Sequence, residues 1–201
     1  MQLVFFSTET PITTELLAVI AYLPSASLSK LSTAGFWSRL SDADFMRIAV
    51  LLAAKSYDEG GCPIGALVVD NLSRRILGKG HNTLIQENHP YNHGETSAMR
   101  DAGSIDFSAT SLFTTLTPCN VCATLLVERS VARVVIGNSP GATNNEAWLR
   151  ERGLCVEVLL DDYGRDLYAQ YQREKPAQDL VDWKGVAALK SSYRSAHHPL
   201  G

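Results

Sequence analysis

Cysteine is scarce in this chain, at four in 201 residues. That excludes a small disulfide-stapled scaffold and suits a reducing compartment. Positive charge is also short: 18 Lys and Arg against 21 Asp and Glu give a net charge of −3. Such a balance argues against a clustered basic face for nucleic acid. One local exception is residues 183–201, where Lys184, Lys190 and Arg194 occur with no acid; we read them as a solvated C-terminal end. No run approaches the roughly 18 apolar residues of a membrane-spanning helix. The apolar stretch 16–23 follows Glu9 and Glu15 instead of basic residues, a poor secretory signal. Internal repeats and low-complexity tracts are missing as well. These absences lead to the expectation of a cytoplasmic protein with no membrane partner.

The composition that remains is that of an ordinary globular protein, 45% hydrophobic. Its length fits one α/β domain plus an appendage. Residues 1–40 read as an N-terminal extension that packs on the domain surface or on a partner subunit. Within it, Thr14-Glu15 starts a short apolar helix that stops at Pro24, and 25–32 is loop or weak helix. The domain proper spans 41–185, and 186–201 is a tail. Ser41-x-x-Asp44 has the form of a capping box, and Phe45, Ile48, Ala49, Leu52 and Ala53 recur behind it at helical spacing. Strands are expected over 64–70, 75–80, 111–115, 133–137 and 156–160, with the first two as a hairpin. Helices are expected over 93–102, from Cys119 onward, over 146–152, from Asp161 to Arg173, and over 178–190. Residues 87–92 form a polar loop with a solvent-facing His89, and 138–144 is a loop at a strand's C-terminal end. Strands alternating with helices around a hairpin predict a three-layer α-β-α sandwich on a five-stranded mixed sheet.

Two half-motifs carry chemistry. Cys119 and Cys122, three apart where a helix begins, present both sulfurs to one ion, and Pro118 suits the first helical turn. His93 supplies a nitrogen ligand from elsewhere. One imidazole and two thiolates balance the charge of one Zn²⁺ and leave a tetrahedral corner open, as catalytic rather than structural zinc requires. Zinc lowers the pKa of a bound water from about 15.7 to about 7, which favours hydroxide by about 12 kcal/mol. Glu95, two residues from His93, is placed as a proton shuttle, a role worth on the order of 10²–10⁴ in rate. Alone, a Cys-x-x-Cys is more often a structural zinc knuckle, its fourth ligand here Cys62 or His81, or a redox pair than half of a deaminase site. The conjunction of both half-motifs in this order is the signature of zinc deaminases. The two other cysteines, Cys62 and Cys155, read as buried thiols.

The sequence resembles the cytidine and nucleobase deaminase superfamily, and within it the yeast-type cytosine deaminases. The likeness covers roughly residues 45–183. It runs through Glu59-Gly60-Gly61-Cys62-Pro63-Ile64-Gly65, Gly78-Lys79-Gly80-His81-Asn82, His93-Gly94-Glu95, Leu116-Thr117-Pro118-Cys119, and Glu174-Lys175-Pro176 with the Asp182 that follows. Guanine and tRNA adenosine deaminases place Ala where this chain has Gly94. The resemblance implies that Asn82 and the Gly94 N–H hold a pyrimidine carbonyl oxygen, and that Glu95 shuttles protons. It further implies that the Thr117 carbonyl and the Asp182 carboxylate bind the leaving amino group, with one zinc per chain in a homodimer. The substrate it implies is a free base, cytosine or a related pyrimidine. Guanine or another small heterocycle is the alternative, and a base within tRNA a more distant one. The loop after the fourth strand lacks the family's aromatic, and Leu180-Val181 replaces an aromatic pair, with Trp183 on the other side of Asp182.

Overall fold

The computed structural model describes residues 6–7, 9–31, 33–139 and 145–184. The expected helix continuation to Lys190, the basic C-terminal end and most of the 138–144 loop lie outside them.

Ten helices and five strands alternate along the described chain. Helices α1 (Thr14–Tyr22), α2 (Ser25–Leu31) and α3 (Ala34–Trp37) precede α4 (Asp42–Asp58). Then come β1 (Gly65–Asp70), β2 (Ile76–His81), α5 (Leu84–Glu87), α6 (Gly94–Ala102) and β3 (Thr110–Thr114). The remainder is α7 (Asn120–Glu128), β4 (Arg133–Ile136), α8 (Asn145–Glu151), β5 (Cys155–Val158), α9 (Asp162–Glu174) and α10 (Pro176–Lys184). The strands order as β2-β1-β3-β4-β5. β1 pairs antiparallel with β2 and β3, while β3, β4 and β5 run parallel. The sheet is therefore mixed, as the hairpin requires.

Period-two alternation sorts the strand side chains into two cores. Leu67, Val69, Phe113 and Val135 face α4 and the N-terminal helices. Ala66, Val68, Leu112, Val134 and Ile136 face α6, α7 and α8 through Ala98, Met99, Ala123, Leu126 and Leu149. Continuous burial along β1 and β3 follows from cover on both faces. The three-layer architecture is as the sequence predicts. Ser41 and Asp44 close a reciprocal capping box at the start of α4.

Residues 25–31 take the helical of the two alternatives, as α2. Three local expectations are corrected. The N-terminal segment does more than rest on a surface: Phe6, Leu16, Leu17, Ile20, Leu28, Phe36 and Trp37 are buried in one cluster with α4 and β1. Pro118 lies outside α7, because Cys119 is the N-cap and the helix proper begins at Asn120. Cys62 is buried as expected, but Cys155 is exposed. β5 is an edge strand of the sheet, and only Val156 of its four residues turns inward. No helix among the described residues is long and apolar enough to cross a membrane.

Candidate active site

Two helix starts create the site. His93 is the N-cap of α6 and Cys119 the N-cap of α7, and neither side chain spends itself on a cap hydrogen bond. Cys122 stands three residues further on, one turn into α7. The His93 Nδ1 lies 3.4 Å from Cys119 Sγ and 3.6 Å from Cys122 Sγ. All three donor atoms fall within 4.8 Å of one another.

The residues present fit a zinc ion. Their donor set is one imidazole and two thiols, and the field around them favours a cation. Burial alone would lower the His93 pKa, yet the Cys119 sulfur together with Glu95 and Asp182 holds it up at about 9. The Cys119 thiol is brought down to about 4, chiefly by the hydrogen that Cys122 offers it, against the effect of burial and with help from His93.

Glu95 occupies the first turn of α6, 3% exposed. Burial and then the Cys119 charge raise its pKa to about 7, opposed by His93 and by the Thr114 hydroxyl, which donates to Glu95 Oε1 at 3.3 Å. A carboxyl poised near neutrality can both take up and release a proton. Gly94 packs directly on Ile64: a Cβ there would stand 3.1 Å from the Ile64 carbonyl oxygen.

The remaining sequence-derived residues converge from three elements. Asn82, completely buried, follows β2; its backbone N–H donates to Ile64 O and its Oδ1 accepts from Leu84 N at 3.0 Å. Its Nδ2 donates to Asp182 Oδ1 at 2.7 Å. Asp182 reaches inward from α10, and burial raises its pKa despite His93 and Asn82. Thr117 follows β3, buried, with its N–H donating to Asn138 O at 3.0 Å.

A small chamber of about 10 Å³ is walled by Ile64, His93, Glu95, Leu116, Thr117, Cys119, Asp182 and Trp183. It adjoins an open cavity of about 770 Å³ reached past Leu84, Ile85, His89, Tyr91, Val121 and Trp183. His93, Glu95, Thr117, Cys119 and Asp182 thus share one chamber. Asn82 and Gly94 stand behind its walls, and Asn82 reaches it through Asp182. His81, a fourth-ligand candidate, is turned away and bonds Glu59 at 2.8 Å.

Two polar residues at this site carry no sequence signal. Asn145 and Glu146, at the start of α8, are 5% and 8% exposed. Asn145 Nδ2 donates to Pro118 O at 2.8 Å and to Asn120 Oδ1 at 3.0 Å. Glu146 Oε1 accepts from the hydroxyls of Thr117 and Ser139. Those hydroxyls outweigh burial and hold its carboxyl below the usual range. Read along the chain, such a pair is an unremarked helix start.

A buried acid beside an imidazole and two sulfurs, on a mixed sheet with the donors at two helix starts, defines a zinc-binding deaminase. The model of the cytidine and deoxycytidylate deaminase zinc-binding region matches residues 40–138. The cytosine deaminase of Candida albicans is 36% identical over 145 residues, covering 71% of this chain and 93% of the relative. A tRNA-specific adenosine deaminase of Haemophilus influenzae is 34% identical over 102 residues, 49% of this chain and 58% of the relative. The solved guanine deaminase of Nitrosomonas europaea superposes with a TM-score of 0.60 at 21% identity, over 66% of this chain and 85% of that one, which demonstrates a shared fold. The chain belongs to the cytidine and deoxycytidylate deaminase family.

Proposed function

We propose that this protein hydrolyses the exocyclic amine of a free nucleobase, cytosine or a related pyrimidine, and releases ammonia. The observation that carries the reading is Glu95: a buried carboxyl held near neutrality, in the same chamber as His93 and Cys119, whose donor atoms lie within 4.8 Å of the Cys122 sulfur. Similarity along nearly the whole length of the Candida albicans cytosine deaminase supports the pyrimidine.

His93, Cys119 and Cys122 hold the metal. When bound, zinc supplies the Lewis acidity that makes water a competent nucleophile near neutral pH. Asn82, whose Nδ2 carries a second hydrogen beyond the one given to Asp182, and the Gly94 N–H hold the ring carbonyl oxygen. The Thr117 carbonyl and the Asp182 carboxylate accept from the exocyclic amine and orient it for departure. Glu95 takes a proton from the attacking water, delivers it to the ring nitrogen, and carries the second to the departing amine. Water and the C–NH₂ group become a carbonyl and ammonia, with Glu95 restored. Burial of Glu95 and Asp182 strengthens the contacts they make.

The 770 Å³ outer cavity leaves room for a substituted pyrimidine or a purine once the chamber opens. A panel of cytosine, 5-substituted cytosines, isocytosine, guanine, adenine, cytidine and a tRNA, assayed for ammonia release, tests the substrate. Turnover confined to guanine or to the tRNA would overturn the pyrimidine reading. A homodimer and a cytoplasmic setting belong to the same proposal. Exposed Tyr91 and Val121, 63% and 56% accessible beside the cavity mouth, supply apolar surface for a second copy. Sedimentation at two concentrations checks the assembly.

A further inference from the structure

We propose that Asn145 and Glu146 are positioning residues that brace the catalytic turn Thr117–Asn120 from outside, each with a separable task. Asn145 fixes the metal-holding part of the turn, and Glu146 fixes its substrate-facing part. The inference rests on the reading above, in which Cys119 and Cys122 hold zinc and the Thr117 carbonyl accepts the substrate amine.

The turn has little backbone support of its own. It leaves β3 at Thr114 and does not join α7 until Asn120. Pro118 has no N–H to give. Thr117 N–H reaches Asn138 O, and Cys119 O accepts from Ala123 N–H at 2.8 Å. What fills the gap is α8. Asn145 Nδ2 bonds both residues that flank Cys119, the Pro118 carbonyl and the Asn120 side chain. One amide therefore spans the metal ligand without touching it. Glu146 Oε1 gathers the Thr117 and Ser139 hydroxyls onto one oxygen. This ties Thr117 to the segment after β4 by its side chain as well as its backbone. An amide and a carboxylate are costly to bury without such partners, and Leu149 already packs α8 on the core. Packing alone does not explain the polar pair.

Groups that orient a metal ligand without contacting the ion typically set affinity within a factor of about 10–100. The test uses zinc-loaded full-length protein. Zinc transfer to a chromophoric chelator is timed, the Tm of the zinc-free protein is recorded, and kcat and KM are measured on the best substrate of the ammonia-release panel. Asn145→Ala, and Asn145→Asp, which keeps the shape but removes the donor, should release zinc on the order of tenfold faster. The zinc-free Tm should not fall in proportion. Glu146→Ala should raise KM several-fold while releasing zinc at the parental rate. Glu146→Gln, which retains an acceptor oxygen, should restore most of the loss, and Thr117→Val should reproduce the Glu146→Ala effect from the other side. Parental zinc release in both Asn145 variants would overturn the first task. Equal behaviour of Glu146→Gln and Glu146→Ala would overturn the second. Cys119→Ser separates the two levels: if the parental protein holds no zinc for that variant to lose, the site reading itself fails. If it does, and the Asn145 variants are unchanged, only the brace fails.

Discussion

The amide of Asn82 and the carboxylate of Asp182, a hundred positions apart in sequence, are joined at 2.7 Å in a buried pair. The function proposed above gives both to the substrate, on opposite edges of the base. On that proposal an entering base draws on groups that already satisfy one another, and their bond holds the pair in place until it does.

Asn82→Ala should accordingly affect binding and stability together. KM for the base should rise by at least tenfold, since a polar contact and its partner's alignment are both lost. Leaving Asp182 buried without its donor costs about 1–3 kcal/mol. Asn82→Asp should be worse than Ala, because two buried carboxyls would then face each other. Steady-state kinetics with thermal melts checks this, and an unchanged KM in Asn82→Ala would remove Asn82 from the binding set.

Metal binding and proton transfer should separate cleanly. Glu95→Ala should keep one zinc per chain and lose on the order of 10²–10⁴ in kcat. Cys119→Ser should lose zinc and activity together. Metal content by emission spectrometry beside the ammonia assay distinguishes them. A Glu95→Ala variant with normal turnover would refute the shuttle.

A surface cluster far from the chamber should set part of the acid limit of stability. Asp42, in the first turn of α4, bonds Arg74 at 2.6 Å and Arg133 at 2.5 Å. Burial would raise its carboxyl, but Arg133 and then Arg74 outweigh that and hold it below the ordinary value. The folded state thus favours the charged form. The stabilisation is present above the unfolded carboxyl pKa of about 4 and disappears as pH falls through the lower folded value. Partial exposure limits its size to about 1 kcal/mol, or roughly 2–4 °C in Tm. Asp42→Asn should therefore melt lower than the parent at pH 6, and the gap should shrink as the pH falls below about 4. A constant gap across that range would count against this origin.

The first forty residues should prove inseparable from the rest. Trp37 is 1% exposed and meets Phe36 edge-on at 5.2 Å, and Phe36 stacks on Phe6 at 5.3 Å. Trp37→Ala should cost about 3–5 kcal/mol, and a chain started at residue 41 should melt far below the full-length protein. Equal denaturant midpoints for the two would show that this aromatic group is dispensable.

The sheet and the metal trio were legible in the sequence for physical reasons. Strands covered on both faces read as short apolar runs, and His93, Cys119 and Cys122 are residue types with few alternatives at that spacing. The capping box at Ser41 and Asp44 is equally local. The missed features are non-local. Nothing near Asn145 or Glu146 announces partners 25–29 residues away. The burial of Phe6, Leu16, Ile20, Leu28, Phe36 and Trp37 depends on an apolar face of α4 that one sequence cannot pair with them. Cys155 looks apolar in its neighbourhood, and only its place on the last strand of the sheet turns it outward.

His93 and Cys119 each stand at a position where Ser, Thr, Asp or Asn would ordinarily close off the first turn of a helix. Reactivity and robustness therefore pull against each other at these two places. Serine at either one would give the helix above it a better beginning, and selection for heat resistance in the absence of metal, without a demand for turnover, should drift toward a sturdier protein that no longer works.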